Sequence, residues 1–240
     1  MFGTALNVAG ILIGGFVGLA RRKPLRPVNE SFFKVSLGVF TVFYGLRLTW
    51  LSLNGMFLQV TKQLLIVVLA LILGKMVGRL LRLQSLSNYL GHQAREHISA
   101  LKPADSRQWS EGFKTCAALF CAAPLGILGS VQDSLSGYYY PLAVKAVMDG
   151  LATMGFISLF GWGAMLAALP VLVFQGTITL VCAQYLKPFL EAHSLVDPVN
   201  ATGGLLVFSV ALVILQLKKI ELADYLPSLA LAPLLAWAFR

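Results

Sequence analysis

The chain has 240 residues, of which 58% are hydrophobic and only 12% charged. A soluble domain of that size carries about 25% charged residues, so this is the composition of one integral membrane domain spanning 1–240. The net charge of +9 does not argue for nucleic acid, because no long polar stretch exists to fold a basic surface.

Apolar runs of roughly 20 residues mark candidate membrane spans. Eight can be read, at about 4–20, 31–52, 60–80, 112–131, 141–161, 164–186, 201–217 and 222–239. The expected fold is therefore all-α and polytopic, with about eight transmembrane helices. The start does not read as a cleavable signal peptide, since Arg21, Arg22 and Lys23 follow the first apolar run instead of preceding it.

The first span carries Asn7 and a stripe of small residues, Gly10, Gly14, Gly15 and Gly18, which predicts close helix packing. Basic residues then collect in three gaps. Arg21, Arg22, Lys23 and Arg26 follow span one, with Lys34 just beyond; seven lie between Lys75 and Lys114; Lys218 and Lys219 follow span seven. Positive charge favours the cytoplasmic side, and eight spans put all three gaps there, with both termini outside. The location expected is a bacterial inner membrane.

The stretch at about 83–111 is too polar to span. Leu83, Leu86, Leu90 and Ile98 can line one face of an amphipathic cytoplasmic helix. His92 and His97 are five apart, and Cys116, Cys121 and Cys182 fall within spans, so neither a metal site nor a disulfide framework is indicated.

Span four holds Pro124, Gly126 and Gly129, followed by Ser130, Gln132 and Asp133. Proline removes a helical hydrogen bond and glycine weakens the helix. Either the span breaks at depth, or it ends in an outer loop that leaves Asp133 in water.

Span five begins at Pro141 and carries Lys145 and Asp149. At 1.5 Å per residue, Lys145 lies about 6 Å below the span start and Asp149 about 12 Å, close to the midplane of a core roughly 30 Å thick. A lysine can snorkel to the interface. An aspartate at that depth cannot, and ionisable groups inside a membrane are functional candidates. Span six adds Gln175, Thr177 and Thr179.

A weak repeat relates the ends of the chain. At an offset of 166, Gly10 meets Gly176, Gly38 meets Gly204, Leu46 meets Leu212 and Leu51 meets Leu217. Spans 1–3 would correspond to spans 6–8, and the odd offset of five spans inverts one copy. Inverted repeats recur in secondary transporters. The repeat would also bring Asn7 near Gln175.

The run Phe120-Cys121-Ala-Ala-Pro124-Leu-Gly126-Ile-Leu-Gly129-Ser130-Val-Gln132-Asp133-Ser-Leu-Ser-Gly137 continues through Lys145 and Asp149. With Asn7, Gly14-Gly15, Gly203-Gly204-Leu-Leu and Leu226-Pro227-Ser228-Leu229-Ala230, it resembles the YqgA/YdfK family of bacterial inner-membrane proteins of unknown function. The resemblance implies a polytopic membrane protein with polar positions at Asp133, Lys145 and Asp149, and no defined substrate. The chain departs from that pattern at Tyr138–Tyr140, where family members often have Gly-Asp before the proline, and at Arg79, where they carry a glutamate.

No catalytic, phosphate-binding or haem motif is present, so an enzyme or a bound cofactor is not expected. The leading functional expectation is a small secondary transporter or ion-coupled permease. Its site would be Asp149 and Lys145, with Asp133, Gln132, Gln175 and Asn7 as neighbours. Its partners would be the lipid bilayer and a small solute or ion, and the pattern admits a homodimer. The alternatives are an ion channel formed by a homo-oligomer and a non-transporting scaffold or sensor.

Overall fold

The computed structural model describes residues 1–21, 27–100 and 108–239, with the side chains at 27, 94, 95, 97–100 and 108 excepted. Of the topology-setting basic residues, Arg22, Lys23, Arg26, Lys102 and Arg107 lie outside the described residues, as does the side chain of Arg95, and so does that of Ile98 on the expected amphipathic face. The described chain is helical: α1 (Phe2–Ala20), α2 (Pro27–Leu51), α3 (Phe57–Leu80), α4 (Leu83–Ala100), α5 (Gln108–Ala122), α6 (Pro124–Ser136), α7 (Tyr140–Phe160), α8 (Ala168–Val181), α9 (Lys187–Ala192), α10 (Val196–Ile214), α11 (Leu222–Tyr225) and α12 (Ser228–Ala238).

Large apolar side chains face outward along the long helices. Ile13 and Phe16 on α1, Leu65 and Ile72 on α3, and Leu169 and Val173 on α8 are all more than half exposed. In water so continuous an apolar surface would drive aggregation. In a bilayer it is the solvated surface. The protein is an all-helical membrane protein.

Among the described residues, five helices are long and apolar enough to cross a membrane, or six if the bent pair α5–α6 counts as one span. The difference from eight has two sources. The stretch 140–192 is one helical run of 53 residues, about 80 Å of helix, far more than one crossing needs. The run α11–α12 is apolar but shorter than the others.

Two compact units emerge from the packing, each formed from non-contiguous segments. The first comprises Met1–Ser31, Leu86–Asp133 and Tyr138–Leu180. Its axis is the contact between α1 and α7. A methyl group at Gly10 would collide with the Ala146 carbonyl, and one at Gly14 with the Gly150 carbonyl; Gly3 faces Leu142 and Gly18 faces Met154 and Ile157. Residue numbers rise together, so α1 and α7 run parallel with their backbones in contact. Glycine is required because any Cβ would separate them.

Opposite numbering relates α1 to α8. Thr4 meets Thr179 at 3.4 Å, and Asn7 meets Gln175 at 3.3 Å. Since α8 is antiparallel to α1 and α7 parallel to it, the 140–192 run folds back on itself. The reversal falls at Gly161, whose φ of 63° is left-handed and suits glycine, followed by a tight 3₁₀ turn over Gly161–Ala167.

The stretch of span four is bent, which is the geometry of a broken span or of a re-entrant loop. Helices α5 and α6 meet at 58° across Ala123, and Pro124 opens α6 in a first-turn position where its missing N–H costs nothing. The helix then runs through Gly129 and Ser130 to Ser136, so Asp133 is not in a watery loop: it is 6% exposed. Gly112 faces Phe160 and Gly129 faces Leu142, which makes α5–α6 antiparallel to α7.

The second unit comprises Phe32–Ser85, Ser134–Gly137 and Val181–Arg240. Gly45 abuts Gly204 and Phe208, and Gly38 abuts Leu215, while Thr49 Oγ1 donates to the Ala201 carbonyl at 3.2 Å. Helices α2 and α10 are therefore antiparallel. Gly74 packs on Ser228 and Gly78 on the Asp224 backbone, so α3 is antiparallel to α11–α12. The buried Asp224, which sequence reading passed over, accepts from the Gln84 backbone N–H at 2.8 Å and caps the start of α4. Helix α4 covers Leu83–Ala100 of the stretch at about 83–111, with Leu83 and Leu90 half-buried and Leu86 exposed.

Candidate functional site

The first unit contains a buried polar group centred on α7. Asp149 is the tenth residue of this 21-residue helix, and Lys145 stands one turn before it. Lys145 Nζ lies 2.7 Å from Asp149 Oδ2, and the residues are 2% and 7% exposed. The lysine does not snorkel. Its stem turns along α7 toward the carboxylate, past the Phe120 ring, whose centroid is 5.9 Å from Nζ. The space for that path exists because position 126 is glycine: a methyl there would sit 3.2 Å from Lys145 Cε and 3.1 Å from Gln175 Nε2.

A charge in low dielectric needs a partner and filled hydrogen-bond positions. The pair supplies the first for each other. Asn7 lies close to the Asp149 carboxylate, and its side-chain amide donates to Gln175 Oε1 at 3.3 Å. Asn7 thus presents its nitrogen and Gln175 its oxygen, which directs the Gln175 nitrogen toward Gly126. Gln175 Nε2 and Asn7 Oδ1 are both buried without a partner. One donor and one acceptor thus remain uncommitted beside a buried ion pair.

Two threonines complete the surroundings. Thr153 Oγ1 donates to the Asp149 carbonyl at 2.7 Å, and Thr179 Oγ1 to the Gln175 carbonyl at 2.9 Å. Thr153 was not singled out from sequence, and Phe120 and Gly126 were named there only within the span-four run, not as neighbours of the pair. Thr153 had a signal, standing four residues after Asp149 and so on the same helical face. The roles of Phe120 and Gly126 depend on how α5 and α6 pack against α7.

Of the six residues proposed from sequence, the structure brings together Asp149, Lys145, Asn7 and Gln175. Asp133 lies elsewhere. It stands seven residues beyond Gly126, about 10 Å along α6, where its carboxylate accepts from the Met1 ammonium at 3.0 Å and the Gly3 N–H at 3.2 Å. Gln132 is fully buried beside it and its carbonyl accepts from the Tyr138 N–H at 3.2 Å.

A family profile described as "Protein of unknown function (DUF554)" matches residues 2–237. The chain belongs to the DUF554 family. It is 28% identical over 240 residues to the uncharacterized membrane protein YdfK of Bacillus subtilis (strain 168), covering 100% of this chain and 97% of that one. It is 29% identical over 238 residues to the uncharacterized protein YqgA of Escherichia coli (strain K12), covering 97% and 94% of the two chains. No solved structure matches.

Proposed function

We propose that this DUF554 protein is a small secondary transporter or ion-coupled permease of the bacterial inner membrane. It is multi-pass, has both termini outside, and carries no catalytic step. Asp149 is the exchanging carboxylate: it gives up Lys145 for a proton or cation when water reaches it from one side, and regains it when the ion departs. The observation that carries this reading is the Lys145–Asp149 pair at mid-helix, flanked by the unmatched Gln175 Nε2 and Asn7 Oδ1.

The helix directions support eight crossings and an inverted relation between spans 1–3 and 6–8. Parallel α1 and α7 are spans one and five, both odd-numbered. Antiparallel partners α1 with α8, α2 with α10 and α3 with α11–α12 are spans one and six, two and seven, and three and eight. Each span of the first copy packs antiparallel against its counterpart in the second, as inverted-topology repeats do. The bend within α5–α6 is also a recurrent transporter feature, since it ends a helix inside the protein.

The test is proton and sodium flux into proteoliposomes under an imposed gradient. Wild-type protein dissipates the gradient. The charge-neutral replacement Lys145→Gln with Asp149→Asn inserts and folds but carries no coupled flux. Wild-type flux in that double variant would end the proposal. Unitary conductance steps would instead mark a channel.

A second reading is favoured by the short 2.7 Å separation of the pair. A closed ion pair is also what a non-transporting scaffold would bury. In that case replacement by Leu and Met leaves every cellular phenotype intact.

A further inference from the structure

The second unit carries a cleft of about 790 Å³ between the C-terminal halves of α3 and α10 and the segment that follows. Its mouth is lined by Lys75, Arg79, Lys218, Lys219, Glu221 and Tyr225. Four cations face one carboxylate, and Glu221 is held by Arg79 at 3.3 Å. Lys75 Nζ rests 5.1 Å above the Tyr225 ring. Neither Lys218 nor Lys219 has a carboxylate partner among the described residues, and both are exposed.

Cations at the ends of α3 and α10 are expected from the helix dipoles alone. The wall below them is the informative part. It is largely apolar, formed by Val68, Leu71, Ile72 and Met76 on α3 with Leu206 and Leu212 on α10, and the hydroxyl of Ser209 donates to the Leu205 carbonyl. Ile72 and Met76 are 55% and 63% exposed, so the wall opens outward to the hydrocarbon. A cationic rim above an apolar trough at a helix end matches one class of ligand: an amphiphile with an anionic head and hydrocarbon tails.

We propose that this cleft binds an anionic phospholipid, its phosphate held by Lys218, Lys219 and Lys75 and its acyl chain laid along Val68, Ile72 and Met76. Basic recesses between transmembrane helices recognise anionic headgroups in this way. The site is independent of Asp149 and of the transport reading. A free phosphate shares the headgroup chemistry but makes no use of the trough.

Thermal unfolding of the detergent-purified full chain tests it, with phosphatidylglycerol, phosphatidylcholine or inorganic phosphate added. Phosphatidylglycerol raises the midpoint of wild-type protein by roughly 3 °C or more, and the other two do not. The variant Lys218→Gln with Lys219→Gln, both exposed and so compatible with folding, loses at least half of that rise. Lys62→Gln, an exposed cation outside this cleft, keeps it. An equal rise with phosphatidylcholine or with phosphate overturns the proposal, as does an undiminished rise in the double variant or an equal loss in Lys62→Gln.

Discussion

Asn7 on α1 and Gln175 on α8 donate and accept a hydrogen bond of 3.3 Å across two antiparallel helices, 168 residues apart in sequence. Asn7 also lies close to Asp149 on α7. Hydrogen bonds between transmembrane helices contribute about 0.6 kcal/mol on average and rarely more than about 1.7. A double-mutant cycle of Asn7→Ala and Gln175→Ala, read by thermal unfolding in detergent, should give a coupling energy in that range. Strict additivity would show that the two amides do not interact.

Removing one member of the ion pair should harm stability more than removing both. Asp149→Leu leaves a lysine ammonium buried with no countercharge, a loss of about 3–5 kcal/mol, whereas matched apolar replacement of buried pairs is often neutral. Lys145→Met combined with Asp149→Leu should therefore unfold at a higher temperature than Asp149→Leu alone. A double variant less stable than the single one would mean that the polar surroundings, and not the charges, dominate.

The α1–α7 contact makes a sharp contrast among glycines. At Gly14 a Cβ meets the Gly150 carbonyl, while at Gly155 it meets nothing within 4 Å. Gly14→Val should destabilise by at least the 1–3 kcal/mol typical of overpacking and sharply reduce accumulation in the membrane. Gly155→Ala should be neutral or better. Membrane yield and thermal midpoint of the two variants decide the matter.

Topology is open to labelling. After replacement of Cys116, Cys121 and Cys182, Ser194→Cys should react with a membrane-impermeant maleimide in intact spheroplasts. Gln216→Cys should react only after lysis. Both positions are exposed. Reversed labelling would invert the orientation, and identical labelling would remove a crossing.

The apolar runs, the glycine stripes and the Asn7–Gln175 proximity were all legible in the sequence, because each depends on local pattern or on a fixed offset. Lys145 was harder to read. Its reach in water or lipid favours snorkelling, whereas in the fold it turns inward past Gly126 and Phe120 to meet Asp149. Asp133 and Gln132 were expected beside Asp149; Asp133 instead meets Met1 and Gly3 at the start of α1, a packing that no periodicity in the sequence encodes. The boundary between spans five and six was legible too: it was read at 161–164, and the reversal at Gly161 falls there.

The backbone-to-backbone seam of Gly10 and Gly14 against Ala146 and Gly150 has a mechanical corollary. Two helices joined without intervening side chains have nothing to repack and must travel as one blade. Any alternation of access to Asp149 then has to be produced by the opposing wall, and the joint at Ala123, where α5 gives way to α6, is the place in that wall already creased.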